Sequence, residues 1–232
     1  MTAVERTPAH GAASLDLVLQ RMRTAGTRLP PGDGVAAFHH VYLPAAEEWA
    51  ARLGPGRSAD RALAAELLAR LTGRYLDAVD AERAGRRPPA CWRPLFQLRR
   101  HPSVHVLQFA LSGINAHTGH DLPLALAGTC RARRLEPEAL EGGFDLVGEL
   151  LTGLEERIRE DLMPGPDLLD VADPLTHLLG SWSLEMARAG AWAAFRALWG
   201  LRELPGLAEE FTERLDGTLG LAGRCLLTPL PD

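Results

Sequence analysis

The chain contains no lysine, all 25 of its basic residues being arginine. A lysine Schiff base and the lysine of a phosphate-cradling P-loop are therefore excluded. Isoleucine is nearly absent as well, with only Ile114 and Ile158 beside nine valines, so residues that favour pleated strands are scarce. Cys91, Cys130 and Cys225 are few, odd in number and far apart, and they form no C-x-x-C. That spacing argues against a disulfide framework or a thiolate zinc site and fits a reducing compartment. There is no excess of positive charge: the net charge is −5 and the pI about 5.9, which argues against a nucleic acid or an anionic membrane as partner. No uncharged apolar run reaches the roughly 20 residues that span a bilayer. The opening Met1-Thr-Ala-Val-Glu-Arg-Thr-Pro also lacks the apolar core of a secretory signal. The location expected on these grounds is cytoplasmic.

What is present is a composition that can bury one core: 232 residues, 46% hydrophobic and 24% charged, rich in Ala, Leu, Arg and Glu. Apolar residues recur at three- and four-residue spacing with no sustained alternation, which predicts an all-α, single-domain multi-helix bundle of about eight to ten helices. Residues 1–13 read as a disordered N-terminal tail and 14–232 as the helical domain. Ser14 is placed to cap a helix to Ala25, and Asp33 to cap the next, which Pro44 should kink or restart. Leu63, Leu67, Leu71, Tyr75 and Val79 form one stripe over Asp60–Ala84, closed by Gly85-Arg-Arg-Pro-Pro. Later helices are expected over Phe144–Leu162, Pro174–Arg202 and Leu207–Leu227, with Met163-Pro-Gly-Pro as a breaker.

The stretch Gln108-Phe-Ala-Leu-Ser-Gly-Ile-Asn-Ala-His-Thr-Gly-His-Asp-Leu-Pro-Leu-Ala-Leu sets polar, potentially ligating groups in an apolar surround, and Asn115 is the only asparagine of the chain. On a helix His117, His120 and Asp121 stand at i, i+3 and i+4 and share one face. Neighbours such as His120 and Asp121 diverge by about 100°, so His117 with either of them is the natural pair, and a third ligand comes from elsewhere. Imidazole with carboxylate suits a divalent transition metal, zinc or iron. The competing reading makes Asp121 the N-cap of a new helix, with Pro123 in its first turn and the histidines tied to buried backbone. His177, Ser181, Glu185, Arg188 and Trp192 form a second polar stripe, in which Glu185 or His177 is a candidate third metal ligand and Arg188 a candidate fork for a carboxylate or phosphate. Against that stands an ordinary surface pair between Glu185 and Arg188.

Weaker signals have plainer explanations. Asp77, Asp80 and Glu82 could hold magnesium and a diphosphate but read better as a solvated helix end. Asp167, Asp170 and Asp173 are similar, with Asp173 better read as a cap before Pro174. Of His39-His40 at least one must point away from any shared target. Gly32-Asp-Gly34-Val-Ala-Ala37 fits a dinucleotide fingerprint only in letters, since no strand precedes it. No G-x-S-x-G, H-E-x-x-H, EF-hand loop or Glu-x-x-His occurs, which removes hydrolase elbows and carboxylate di-iron sites. The five tryptophans read first as core.

Gly34-Val-Ala-Ala-Phe, Arg74-Tyr75-Leu, Trp92-x-x-Leu-Phe96, the Gln108–Leu126 block and Ala187-Arg-x-x-Ala-Trp192 together resemble an uncharacterised actinobacterial domain-of-unknown-function family, family 5995, over most of the chain. Asn-Ala-His-x-x-His-Asp-Leu is its distinctive part. The resemblance implies importance for Asn115, His117, His120, Asp121 and Arg188, implies no fixed role for His39 or His40, and supplies no activity. The expected function is a small helical enzyme, associated with secondary metabolism, acting on a largely apolar small-molecule substrate with one anionic group. His117, His120 and Asp121 would bind a metal, or Asp121 would orient His117 as a general base, with Asn115 donating to developing charge and Arg188 orienting the ligand. Two other classes stand beside it. One is a non-catalytic binding or scaffold protein in which the polar cluster fixes helix register. The other is a metal phosphohydrolase using His39 or His40, the His120-Asp121 doublet and a later aspartate such as Asp170. The oligomeric state has no signature in the sequence.

Overall fold

Abundant Ala and Leu with few β-branched residues should produce helices, and they do. The computed structural model describes residues 8–53, 58–162 and 183–230, and among these there is no strand. The elements are α1 (Pro8–Gly26), α2 (Gly34–Leu53), α3 (Ala59–Arg83), α4 (Arg93–Leu98), α5 (Val106–Ala116), a π-helical turn (His117–Asp121), α6 (Leu122–Arg133), a 3₁₀ turn (Pro137–Leu140), α7 (Glu141–Leu162), α8 (Leu184–Gly200) and α9 (Pro205–Leu226). No helix of the described residues is long and apolar enough to cross a membrane.

Three boundaries differ from expectation. The first helix begins at Pro8, ahead of Ser14, because Ala9, Ala12 and Ala13 favour helix strongly enough to carry it back into the segment expected as a disordered tail. α2 runs through Pro44 to Leu53 without restarting. The carbonyl that Pro44 leaves without a donor is that of His40, an exposed residue, where water can satisfy it. α8 starts at Leu184, where the Ser183 hydroxyl accepts from the Met186 N–H at 3.2 Å. The expected start at Pro174, the breaker at Met163, and His177, Ser181, Asp167, Asp170 and Asp173 lie outside the described residues. Asp33 does cap α2: its carboxylate accepts from Val35 N–H at 2.9 Å and holds the Arg99 guanidinium at 2.7 Å.

α3 packs against α1, α6 and α7, while α5 lies between α2 and α9, and α6 between α3 and α8. The buried face of α3 is wider than the predicted stripe, taking in Leu68, Leu76 and five alanines beside Leu67, Leu71, Tyr75 and Val79. α5 is buried almost all round. Its start is fixed by a reciprocal pair, His105 accepting from Leu107 N–H at 3.2 Å and Gln108 Oε1 accepting from His105 N–H at 2.9 Å. The Gln108 amide also donates to the carbonyls of Leu226 and Thr228 at 2.8 and 2.7 Å, fastening the end of α9 to the core. The core centres on Phe38, Tyr42, Tyr75 and Trp92, with Phe38 stacked on Tyr42 at 5.3 Å and edge-on to Tyr75 at 5.1 Å between centroids.

Candidate functional site

Pro123 cannot donate a hydrogen bond, and its ring crowds the carbonyl four residues back. The helix answers with a wider turn: the Leu122 N–H bonds to His117 C=O, five residues before it, over His117–Asp121. Asp121 has helical dihedrals and its side chain makes no capping bond, so the capping reading of this residue is corrected. Instead its carboxylate turns inward, 1% exposed, and four side chains converge on it. Oδ1 accepts from His120 Nδ1 at 2.9 Å and lies 3.5 Å from Arg74 Nε, while Oδ2 accepts from Trp92 Nε1 at 3.0 Å and lies 3.4 Å from His117 Nδ1. Burial alone would raise its pKa, but the contacts from His117 and His120 outweigh it and hold the carboxyl at about 2. Asp121 is thus an ionised, buried carboxylate at neutral pH, which makes His120 Nδ1 the donor.

Both histidines aim Nδ1 at the Asp121 carboxylate, but beyond it their rings part, and His117, His120 and Asp121 are not the residues whose ligating atoms cluster. His117 turns into the aromatic core, 4.5 Å from the Tyr42 ring and 5.7 Å from that of Phe38, and neither of its ring nitrogens has a hydrogen bond. His120 turns the other way, onto a cavity of about 600 Å³ between α3, α6, α8 and α9. Arg74, Leu124, Arg131, Leu198 and Arg202 line it together with Asp216. Asp216, on α9, is the residue that sequence reasoning missed. Its carboxylate accepts from the backbone N–H groups of Ala90 and Cys91 at 2.7 and 2.9 Å, and Oδ1 stands 3.7 Å from His120 Nε2. Nothing in the spacing of Arg214-Leu-Asp216-Gly links it to His120, 96 positions earlier, so no sequence signal could have found it.

The remaining candidates are placed elsewhere. Glu185 is exposed on the first turn of α8 and is not among the grouped ligating atoms. Arg188 pairs with Asp145 and lies 4.7 Å over the Phe144 ring, which docks α8 on α7 and removes it from the cavity. Arg74, whose Nε faces Asp121 Oδ1 at 3.5 Å, is one of the arginines that do line the cavity. Asn115 donates to the Leu219 carbonyl at 3.0 Å and ties α5 to α9. His39 bonds through Nδ1 to the Tyr75 hydroxyl at 3.0 Å and His40 is exposed, so neither joins the His120-Asp121 doublet as the phosphohydrolase reading requires. Asp77 and Asp80 are exposed and pair with Arg21 at 3.4 and 3.1 Å, the solvated helix end of the plainer reading. Of the tryptophans, Trp92 is at the site, though as the donor that holds Asp121 and not as a pocket wall.

Among the described residues one set of possible metal-ligating atoms clusters, those of Cys91, His120 and Asp216, all within 4.8 Å of one another. Asp121 is not in it. Burial pushes the Cys91 thiol far above its ordinary pKa, so without a cation beside it the sulfur keeps its proton.

The chain belongs to DUF5995, a family of unknown function whose profile matches residues 15–229. No curated protein and no solved structure matches it.

Proposed function

We propose, taking membership of a family without an assigned activity as the premise, that the protein is a small helical enzyme with His120 as its working side chain. Its substrate is a compact, partly apolar molecule carrying one anionic group. The observation that carries this reading is the 2.9 Å bond from His120 Nδ1 to an ionised, buried Asp121, on a ring whose other edge faces a cavity of about 600 Å³. A carboxylate on Nδ1 fixes the tautomer, keeps the lone pair on Nε2 and strengthens it as a base or ligand. Nε2 then either takes a proton from the substrate or holds a divalent metal, zinc or iron, that polarises a substrate oxygen. The cavity has the size of a small-molecule site. Leu124 and Leu198 offer it apolar wall, and Arg74 offers a guanidinium beside the imidazole for the anionic group.

Free Cys91, Cys130 and Cys225 suit the reducing cytoplasm, and a step in secondary metabolism is the setting proposed for the reaction. Neither nucleic acid nor membrane enters this reading.

The test is a mass-spectrometric screen of pooled small carboxylates and phosphates, incubated with the wild-type chain and with His120→Gln. A compound consumed by the wild type should be turned over more slowly by a factor on the order of 10²–10⁴ in His120→Gln, the range for loss of a positioned acid or base. Arg74→Gln should act mainly on KM. Equal turnover by wild type and His120→Gln would overturn the assignment.

A further inference from the structure

His120 presents Nε2, its uncommitted nitrogen, towards Asp216 Oδ1 at 3.7 Å, and a ligating atom of Cys91 completes a group within 4.8 Å. The two protein supports of this group are already built. Asp121 anchors the imidazole from behind at 2.9 Å, the arrangement by which a carboxylate orients a metal-binding histidine. The N–H groups of Ala90 and Cys91 hold Asp216 at 2.7 and 2.9 Å, so the carboxylate is steered before anything binds it. Charge points the same way: Asp121 and Asp216 flank one imidazole, and the Arg74 guanidinium beside it is 3.5 Å from Asp121 Oδ1. A site that sets two carboxylates about a histidine and a buried thiol attracts a cation.

We propose that Cys91, His120 and Asp216 form a mononuclear site for a divalent transition metal of the zinc type, with its fourth position opening on the cavity. Tetrahedral zinc with bonds of about 2.0 Å to nitrogen and oxygen and 2.3 Å to sulfur sets its ligand atoms roughly 3.3–3.5 Å apart. From within 4.8 Å, the three residues need to close by at most about 1.5 Å. Asp216 and His120 both line the cavity whereas Cys91 is fully buried, so the ion would be gripped from the core side and reached by substrate from the other. Three protein ligands and one open position is the pattern of catalytic zinc, in contrast to the closed four-ligand structural site. On binding, the Cys91 S–H bond breaks, a sulfur–metal bond forms, and the proton leaves to solvent. The ligand set differs from the one the sequence suggested, because Asp121 supports the site and does not bind in it.

The site rests on the reading of His120 as the working residue, and the two are separable by experiment. The full chain, made without a polyhistidine tag and stripped with a chelator, is titrated with Co²⁺, and the bound ion is then displaced with Zn²⁺. Expected is one ion per chain, with the near-ultraviolet charge-transfer band that only thiolate-to-cobalt ligation gives. The band should vanish in Cys91→Ser, and affinity should fall at least about 100-fold in Asp216→Asn and in His120→Gln. His117→Gln should leave the band in place. Asp216 is partly exposed, so Asp216→Asn keeps the test decisive should Cys91→Ser fail to fold, with circular dichroism as the check on folding. Absence of binding by the wild type, or binding without the charge-transfer band, overturns the site. If it fails while His120→Gln still loses turnover, His120 acts on protons and the enzymatic reading stands; if cobalt binds as described while no compound in the screen is consumed, the site stands without it.

Discussion

At the scale of single residues the protein is organised by one carboxylate. Asp121 is buried and ionised, a state that would cost several kcal/mol without compensation. The compensation comes from His117, His120, Trp92 and Arg74, which arrive from three directions in the fold. His117 and His120 look equivalent in the sequence, three positions apart in one motif. They are not equivalent in space, since one is enclosed by Tyr42, Phe38 and Trp92 while the other lines the cavity. His117→Ala therefore removes core volume and one of the contacts that keep Asp121 charged. It should lower stability by roughly 2–4 kcal/mol, read as a shift in the urea midpoint, and leave cobalt affinity within about twofold. His120→Gln, at the cavity wall, should do the reverse. Equal loss of stability in the two variants would show that the motif acts as one structural unit.

At the scale of elements, the π turn and α9 decide where the site lies. Pro123 was legible as a first-turn proline, but a widened turn is one of several ways to accommodate it, and only packing of α3, α8 and α9 against His117–Asp121 selects that one. α9 meets the segment before α4 through Gly220, where a methyl group would stand 2.6 Å from the Ala90 carbonyl oxygen. Asp216 lies one turn earlier on the same face and takes its two backbone hydrogen bonds from Ala90 and Cys91. Gly220→Ala should force α9 outward, lowering stability by about 1–3 kcal/mol and weakening cobalt binding at the same time. Gly217→Ala, three residues away in open space, should raise stability by about 0.5–1 kcal/mol through helix propensity alone, with metal binding unchanged. Thermal melts of the two variants check both signs.

At the scale of the whole molecule, the packing of α1, α2 and α3 makes stability depend on pH. His39 is buried where these helices meet, with Gly26 of α1 against its ring and the Tyr75 hydroxyl of α3 on Nδ1. Burial lowers its pKa from 6.5 to about 4, opposed by the Met22 backbone, whose carbonyl favours the protonated ring, and helped by a smaller contribution from the charge of His40. Between those two values the unfolded chain takes up a proton that the folded chain refuses. Stability thus falls as pH drops from 6.5 towards 4, by as much as roughly 3 kcal/mol, and this contribution levels off below that. Urea titrations of the wild type and His39→Gln across this range should diverge by that amount, the variant losing less. Parallel curves would place the pH dependence in other groups.

The amino-acid sequence by itself determined the class of fold and most of its punctuation. Scarce β-branched residues, apolar spacing of three and four, the Asp33 cap and the Gly85 stop are local properties, and each acts within a few residues of where it is written. It also singled out the Asn-Ala-His-x-x-His-Asp block as the place where polar groups enter the core. What it left undetermined was the partners of those groups, because they come from far along the chain: Arg74 and Trp92 before the block, Asp216 after it. Cys91 was discounted for want of a nearby second cysteine, and Asn115 and Arg188 were credited for their motifs, yet the first faces His120 and the other two serve as ties between helices. Only the tertiary structure decided which edge of each imidazole meets water-sized space and which meets aromatic rings. Helix periodicity fixes the face on which a side chain leaves its own backbone, but what waits there depends on how other helices, remote in sequence, are packed against that face.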